Sequence, residues 1–569
     1  MTEKLSVCFV WHMHQPLYKD RSTGLYLLPW VRLHAIKDYL DMPARLEEFP
    51  TLSQTFNLVP VLLEQLIDYG ERDAVDEQLL LTCKKADEYT VAEKTIILSE
   101  SFHANLARQI KPYRPFYELY RQRERLARQG HSFASMVGEF SDQQFADMTC
   151  WMNLCWFDPL WVSQDAELRQ YFAQGASFTL QQRLRLIEKE RELIRRIIPF
   201  YKRLQETGQI EITTGPYYHP ILPLLFDSNV ARYACPHAAL PEQLYFHGAD
   251  AVCQLESGMS LLERLLGAGR ARGIWPPELA VSPAALELAA SHGLAWAIAD
   301  EALLSRTAGV NLSRDKNGNL KDPRVLCQPY RLDVGEQEIV VFFREGVLSH
   351  EIGFSCAGQE PEQAASAIYG RIKHIQEKLT GWEREGVVVI ALDGENCWEA
   401  YAEDGGPFLG ELYRLLAGDA SLNVSTVSDY LDRQPAKESL HSIHCGSWIG
   451  ADYHIWIGDP VKNRAWDLLS QTRKFLSEQL KSGSFTQDVE KDAWEEIYAA
   501  EGSDWFWWFG KPNTSAHDAI FDEQFRRCLK NVYRILGLPS PAVLDLPVCE
   551  QVHAPRGSQP GLPVKPAGR

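Results

Sequence analysis

Seven short apolar runs, each ending at polar or ionisable residues, constrain the fold of this 569-residue chain more than any other feature. The runs are continuous and rich in β-branched and aromatic residues, as expected of strands that are buried on both faces. They comprise residues 5–11, 52–59, 209–213, 271–275, 294–299, 339–343 and 387–391. Because helical stretches separate them, we predict an α/β fold with a parallel sheet and right-handed crossover connections.

The positions of the polar residues favour a closed barrel over an open sheet. They follow strands that are spread along the whole region, whereas an open sheet would confine functional residues to one crevice. The sequence therefore predicts a seven-stranded α/β barrel over residues 1–410.

Two helical regions interrupt this alternation. Residues 70–205 are predicted to form a large helical insertion between the second and third strands, with a clear apolar stripe over residues 179–207. Residues 411–545 are predicted to form a C-terminal helical domain, in which Asp459 and Pro460 begin a helix. The last segment, 546–569, is rich in Pro and Gly and is predicted to be disordered.

Charge and composition exclude several classes of partner. The chain carries 58 Lys and Arg against 76 Asp and Glu, a net charge of −18, so neither nucleic acid nor an anionic membrane is an expected partner. The sequence shows no apolar stretch long enough to cross a membrane and no signal peptide, which indicates a cytoplasmic protein. The twelve cysteines show no CxxC pair or zinc-ligand spacing, and we expect neither a metal nor a cofactor.

Two histidines leave the first predicted strand in the motif WHMHQP. His12 and His14 are two residues apart and therefore lie on the same face of the strand. They could hydrogen-bond to substrate hydroxyls, ligate a metal as in some hydrolases, or be satisfied core residues.

Two carboxylates occupy positions that suit acid–base and nucleophilic chemistry. Glu278 follows two prolines, whose fixed φ angles hold it on a stiff turn, as a nucleophile requires; the alternative is a helix N-terminal Glu. Asp393 ends the most apolar strand, where burial suits a general acid; the alternative is a structural Asp in a tight turn. Glu395 is a rival for the same role.

Further candidates lie at other predicted strand ends. Glu211 and His219 frame the third run, Asp300 ends the fifth, and Arg344 is the only basic residue at a strand end. The motif EGSDWFWWFG places Asp504 before five consecutive aromatic residues, which indicates a groove or a domain interface. Two carboxylates in a cleft lined by Trp are what glycoside hydrolysis needs.

Five motifs in this order resemble glycoside hydrolase family 57, whose members act on α-glucans. They are WHMHQP, GQIEITTGPYYHP, GIWPPELAVSP, ALDGENCW and EGSDWFWWFG, and they span residues 11–510. The resemblance implies an incomplete (β/α)7 barrel, a retaining mechanism with carboxyl groups about 5–5.5 Å apart, and no cofactor. It also implies an α-glucan polysaccharide or oligosaccharide as the substrate.

Carried over residue by residue, the resemblance implies that Glu278 is the catalytic nucleophile and Asp393 the general acid/base. From the matching motifs and from positions after strands, the predicted substrate-binding residues are His12, His14, Gln15, Glu211, His219, Trp275, Asp300, Arg344, Trp398, Asp504 and Trp505. His350 stands where the family pattern has Asp, which affects one expected substrate contact and not the catalytic pair.

The leading hypothesis is hydrolysis of α-1,4 glucosidic bonds, with α-1,6 branch points as a further target, as in amylases and amylopullulanases. The first alternative is a 4-α-glucanotransferase or glucan branching enzyme, in which a sugar hydroxyl replaces water as the acceptor. Two other hypotheses are a metal-dependent hydrolase built on His12, His14, His219 and a carboxylate, and a glucan-binding protein without catalytic activity.

Overall fold

A computed structural model of the chain describes residues 4–267, 271–395, 397–483 and 485–549. Most of the predicted disordered tail, residues 550–569, lies outside the described residues.

All seven predicted runs form strands. The strands are β1 (Leu5–Met13), β2 (Gln54–Leu58), β3 (Ile210–Thr213), β4 (Gly273–Ile274), β5 (Trp296–Asp300), β6 (Tyr330–Val334), β7 (Gln337–Arg344), β8 (Gly386–Asp393), β9 (Leu422–Val424) and β10 (Glu438–Leu440). The seven predicted strands are β1–β5, β7 and β8, and the sequence did not indicate β6, β9 or β10.

The strands form two five-stranded sheets. One has the order β3-β2-β1-β8, with β9 also paired to β1, and the other has the order β10-β6-β7-β5-β4. Every pairing is parallel except the β6–β7 hairpin, which confirms the predicted α/β class with parallel strands. Contacts join the two sheets at both sides. Thr214 and Ile274 form a parallel bridge, and the Glu345 amide donates to the Val389 carbonyl at 2.7 Å.

The register of β1 brings candidate functional residues together at one end of the first sheet. His12 lies opposite Asn57 of β2 on one side and opposite Asp393 of β8 on the other. All nine residues of β1 are buried, which explains why its sequence is almost continuously apolar.

Helices surround the sheets and fill the predicted insertion. The α-helices of the described residues are Trp30–Ala35, Asp41–Ala44, Pro60–Glu71, Glu77–Thr82, Val91–Glu100, Arg114–Arg128, Phe133–Met136, Asp142–Leu154, Pro159–Gln164, Ala166–Gln174, Leu180–Glu206, Leu222–Phe226, Ala231–Ala234, Gly248–Leu266, Pro283–Ser291, Glu301–Ala308, Gly346–His350, Pro361–Lys378, Gly406–Ala417, Val427–Arg433, Pro460–Ser482, Gln487–Ala500, Ser503–Trp508 and Asp518–Ile535. Helix Leu180–Glu206 begins with a capping box between Thr179 and Gln182. Within the described ranges, no helix is both long and apolar enough to cross a membrane.

The region after residue 410 is not purely helical. Helix Gly406–Ala417 spans residue 410, and β9 and β10 beyond it pair with β1 and β6. Further along, the Asp459 side chain accepts a hydrogen bond from the Val461 amide and caps helix Pro460–Ser482, as predicted. The two sheets therefore draw strands from both sides of residue 410.

Candidate active site

Glu278 lies on a short 3-10 turn directly after β4. Its φ is 57° and its ψ 25°, a left-handed conformation that is unfavourable for a residue with a Cβ atom. Trp448 fixes this residue twice: its amide donates to the Glu278 carbonyl at 3.2 Å, and its indole Nε1 donates to Oε2 at 2.8 Å. Strained backbone held in this way by its surroundings is characteristic of functional sites.

Glu278 and Asp393 are electrostatically coupled. Burial, together with the negative charges of Asp393 and Asp504, raises the pKa of Glu278 from its ordinary value of 4.5 to about 8, and the Trp448 hydrogen bond acts in the opposite direction. Asp393 is half-buried at the end of β8. The structure thus brings the two predicted catalytic carboxyl groups into one electrostatic unit.

Three histidines and a tryptophan, His12, His14, His219 and Trp275, form a stacked group that we call the histidine cluster. The His12 ring stacks on Trp275 with centroids 4.6 Å apart and an interplanar angle of 6°. The His14 and His219 rings stack at 4.0 Å and 21°, and His12 lies 5.0 Å from His219. Residues from three predicted motifs therefore meet at one place.

Hydrogen bonds determine how His12 is presented. The Asn57 side chain donates through Nδ2 to Thr213 Oγ1 and to the Thr214 carbonyl, both at 2.9 Å, so its Oδ1 is free to accept. His12 Nδ1 lies 2.8 Å from that oxygen and must carry the proton, which leaves Nε2 as an acceptor. Burial and the neighbouring His14 lower the pKa of His12 to about 3, so its ring is neutral.

The other two histidines are tied to the C-terminal helical region. His14 Nε2 lies 2.9 Å from Asp504 Oδ1, and His219 Nδ1 lies 2.9 Å from Ser503 Oγ. His219 has a φ of 56°, and burial lowers its pKa well below the ordinary value. Helix Ser503–Trp508 therefore orients two rings that lie 490 and 284 positions earlier in the chain.

Several buried polar atoms of the histidine cluster lack hydrogen-bond partners within the protein. These atoms are His14 Nδ1, His219 Nε2 and Trp275 Nε1. Buried polar atoms without partners are rare in folded proteins, and a group of them indicates a site for a polar ligand. His14, His219 and Asp504 could also hold a metal ion, since one donor atom of each lies within 4.8 Å of the others.

Two further predicted residues support Glu278 indirectly. Arg344 Nε donates to Asp300 Oδ2 at 2.7 Å, and the Arg344 guanidinium lies 4.8 Å from the centre of the Trp448 ring. Asp300 also caps helix Glu301–Ala308. Asp300 and Arg344 therefore hold the indole that binds the Glu278 carboxylate.

Gln15 and Glu395 form a buried pair beside β1. Glu395 Oε1 accepts hydrogen bonds from the His14 amide at 3.1 Å and from Gln15 Nε2 at 3.5 Å. Gln15 in turn accepts from the Tyr18 hydroxyl at 2.9 Å. Glu395 thus fixes the backbone that presents His14.

Three predicted substrate-binding residues are not brought to the histidine cluster. Glu211 lies opposite Thr55, two residues before Asn57 in register, and accepts hydrogen bonds from the amide and hydroxyl of Ser428. Trp398 and Trp505 are each 1% exposed. Their indoles donate to the backbone carbonyls of Gly394 and Ala499, respectively.

His350, the departure from the family pattern, is exposed. Its ring contacts that of Phe354, with centroids 4.9 Å apart.

Sequence reasoning missed three residues of the site. Asn57 lies two residues before the end of the second predicted run, and a polar residue at that position was a usable signal. Ser503 is adjacent to the predicted Asp504, but nothing marked it separately. Trp448 lies in an irregular segment without apolar periodicity, 170 positions from Glu278, and no local signal identified it.

The chain belongs to glycosyl hydrolase family 57, whose model matches residues 8–443. No curated protein matches this chain.

Solved structures of similar fold cover nearly the whole chain. The branching enzyme from Thermococcus kodakaraensis aligns with a TM-score of 0.58 and 15% identity over 94% of this chain and 90% of that one. The branching enzyme from Pyrococcus horikoshii gives 0.57 and 16% over 98% and 99%. The α-amylase from Thermotoga maritima gives 0.54 and 13% over 95% and 96%. At these identities, the likeness shows the shared fold alone.

Proposed function

We propose that this protein is a retaining enzyme acting on α-1,4-linked glucans, with Glu278 as the nucleophile and Asp393 as the general acid/base. The observation that carries the proposal is the electrostatic coupling of these two carboxyl groups beside the histidine cluster. Membership of glycosyl hydrolase family 57 supports it.

In the first step, a Glu278 carboxylate oxygen attacks the anomeric carbon while the bond to the glycosidic oxygen breaks. Asp393 transfers its proton to that departing oxygen, and a glycosyl ester of Glu278 remains. In the second step, the oxygen of a water molecule or sugar hydroxyl attacks the anomeric carbon and the ester bond breaks. Asp393 takes the proton of the attacking group, which regenerates both residues.

Glu278 and Asp393 share one proton before the substrate reacts. Because two nearby carboxylates repel each other, the pair retains a proton at neutral pH, and the pKa of about 8 at Glu278 reflects this retention. The indole N–H of Trp448 favours the ionised form of Glu278. Positive charge that develops on the sugar in the transition state also favours it, so the shared proton moves to Asp393.

The histidine cluster would bind the sugar ring at the cleaved bond. His14 Nδ1, His219 Nε2 and Trp275 Nε1 are unpartnered and can bond to hydroxyl groups. A sugar hydroxyl both donates and accepts, so it suits neutral imidazoles and an indole N–H. These neutral groups therefore suit an uncharged ligand such as a sugar.

We further infer that the two sheets close into the incomplete (β/α)7 barrel that the sequence predicts. The bridge between Thr214 and Ile274 and the hydrogen bond from Glu345 to Val389 support closure at the two junctions. Closure would direct the ends of β1, β4 and β8 towards a common mouth, as barrel active sites require.

We propose that water is the acceptor in the second step, so that the overall reaction is hydrolysis. We also propose that α-1,6 bonds are an additional target. The assay uses amylose and pullulan and follows both reducing ends and iodine staining. Rising reducing ends in the wild type would support hydrolysis, and the pullulan reaction would report on α-1,6 bonds. Changed iodine colour with constant reducing ends would instead support transfer or branching.

The catalytic assignment can be tested by chemical rescue with azide and α-maltosyl fluoride. In Glu278→Ala, azide replaces the nucleophile in a single inversion, and we expect the β-azide. In Asp393→Ala, fluoride leaves without an acid and azide attacks the glycosyl ester, so we expect the α-azide. Without azide, each variant should lose several orders of magnitude in turnover on amylose. Opposite anomers would reverse the roles, and near-normal turnover of Glu278→Ala would refute the nucleophile.

A further inference from the structure

A second group of potential ligands lies outside the histidine cluster, between the helical insertion and the C-terminal region. It consists of Glu100, His103 and His517, whose ligand atoms all lie within 4.8 Å of one another. Glu100 ends helix Val91–Glu100, and His103 follows three positions later, beyond the end of the helix. His517 immediately precedes helix Asp518–Ile535.

The distances match the edges of a tetrahedral metal site. His517 Nε2 lies 3.2 Å and His103 Nδ1 3.3 Å from the same Glu100 oxygen, Oε2. Tetrahedral zinc with bonds of about 2.0–2.1 Å separates its ligand atoms by about 3.4 Å. Two imidazoles and one carboxylate are also a common zinc ligand set.

One atom of the group has an unsatisfied hydrogen-bonding capacity. His103 Nδ1 is buried and makes no hydrogen bond, because its approach to Glu100 lacks hydrogen-bond geometry. A metal would satisfy that lone pair at the position from which a hydrogen-bond partner is missing.

Glu100 also lines a cavity of about 120 Å³ together with Glu77 and Ile520, and neither histidine of the group lines it. A water molecule takes about 30 Å³ of liquid volume, so the cavity has room for water beside Glu100.

We propose that Glu100, His103 and His517 bind a divalent transition metal, preferentially Zn²⁺, which clamps the helical insertion to the C-terminal region. The expectation of no metal rested on the spacing of cysteines, and this group contains none. The clamp joins residues more than 400 positions apart, so its main effect is on stability.

The test uses the full chain after chelator treatment, incubated with Zn²⁺ alone and then separated from free metal by gel filtration. We expect about one retained equivalent in the wild type and its loss in Glu100→Gln, His103→Ala and His517→Ala. His292→Ala is the matched control, because His292 pairs with Glu256 at 3.2 Å outside this group, and it should retain the metal. With Co²⁺ in place of Zn²⁺, the spectrum should lack a thiolate charge-transfer band.

Two further measurements distinguish this site from its alternatives. Zn²⁺ should raise the melting temperature of the wild type and leave that of Glu100→Gln unchanged. His14→Ala should still bind Zn²⁺. Failure of the wild type to retain Zn²⁺, or loss of binding in His14→Ala with retention in Glu100→Gln, would overturn the proposal. The azide rescue of Glu278→Ala and Asp393→Ala is independent of these results.

Discussion

At the scale of single residues, Glu278 combines three features that lower the stability of the folded protein. It has a left-handed backbone, a partly buried carboxyl group and a neighbouring negative charge. Each of these features opposes folding, and each suits a nucleophile held in one orientation. Trp448 compensates in part, since it binds both the carbonyl and the carboxylate of this residue.

Glu278→Gln should therefore stabilise the protein, and by an amount that depends on pH. Between 4.5 and about 8, the unfolded state has lost the Glu278 proton that the folded state retains, so wild-type stability declines as pH rises through this range. Glutamine lacks this titration. Melting curves should show a small gain at pH 4.5 and a larger one at pH 8. Exposed Glu256, replaced by Gln, is the control; a gain for Glu278→Gln that is constant across pH would contradict the expectation.

At the scale of secondary-structure elements, helix Gly248–Leu266 positions the loop that carries His219. The Tyr217 amide donates to the Gln254 carbonyl and the Tyr218 amide to Gln254 Oε1, both at 3.0 Å. Gly258 of this helix lets the loop approach closely: a Cβ atom there would lie 2.5 Å from the Gly215 carbonyl oxygen. The helix therefore sets the position of one imidazole of the histidine cluster.

Gly258→Ala should push this loop away and damage both stability and activity. We expect a loss of about 1–3 kcal/mol in the free energy of unfolding, typical of overpacking, and a lower kcat/KM. Gly410→Ala is the matched control in helix Gly406–Ala417, where a Cβ atom meets no heavy atom within 4 Å. It should stabilise the protein by up to about 1 kcal/mol. Denaturant unfolding measures the stability of both variants, and initial rates measure their kcat/KM. Wild-type stability and activity in Gly258→Ala would refute the packing argument.

The individual strands, together with Glu211 and Trp448, show what could and could not be predicted from the sequence. The seven predicted strands overlap continuous apolar runs of the sequence, although β4 itself spans two residues. In contrast, β9 and β10 have three residues each, and β6 alternates buried and exposed positions as a hairpin arm. Glu211 was expected near the sugar, but its place depends on strand register, which a single sequence does not reveal. Trp448 depends on a contact across 170 positions and could be identified only in three dimensions.

At the scale of the whole molecule, the candidate site is built from distant parts of the chain. β1 contributes His12, and His14 follows its end; the third motif contributes Glu278, and helix Ser503–Trp508 contributes Ser503 and Asp504. The two-sheet core and the C-terminal helical region are thus joined at the site itself. The predicted family motifs were informative because they mark these separate contributions.

Asp504→Asn tests this long-range connection. The charged partner of His14 Nε2 would be lost, and we expect kcat/KM to fall about 10–100-fold because the ring loses its orientation. Asp492→Asn, at an exposed position of the neighbouring helix Gln487–Ala500, should leave kcat/KM unchanged. Equal effects of the two substitutions in steady-state assays would show that the contact does not matter for activity.

The contacts of His14 and His219 with Asp504 and Ser503 also have a consequence for biosynthesis. A ribosome that has not yet translated Ser503 has already made both proposed catalytic carboxyl groups and all three histidines, yet two of those rings still lack their partners. The histidine cluster is therefore completed only after Ser503 and Asp504 have been translated. A chain that ends before Ser503 would carry every proposed catalytic group and still lack the two side chains that orient His14 and His219.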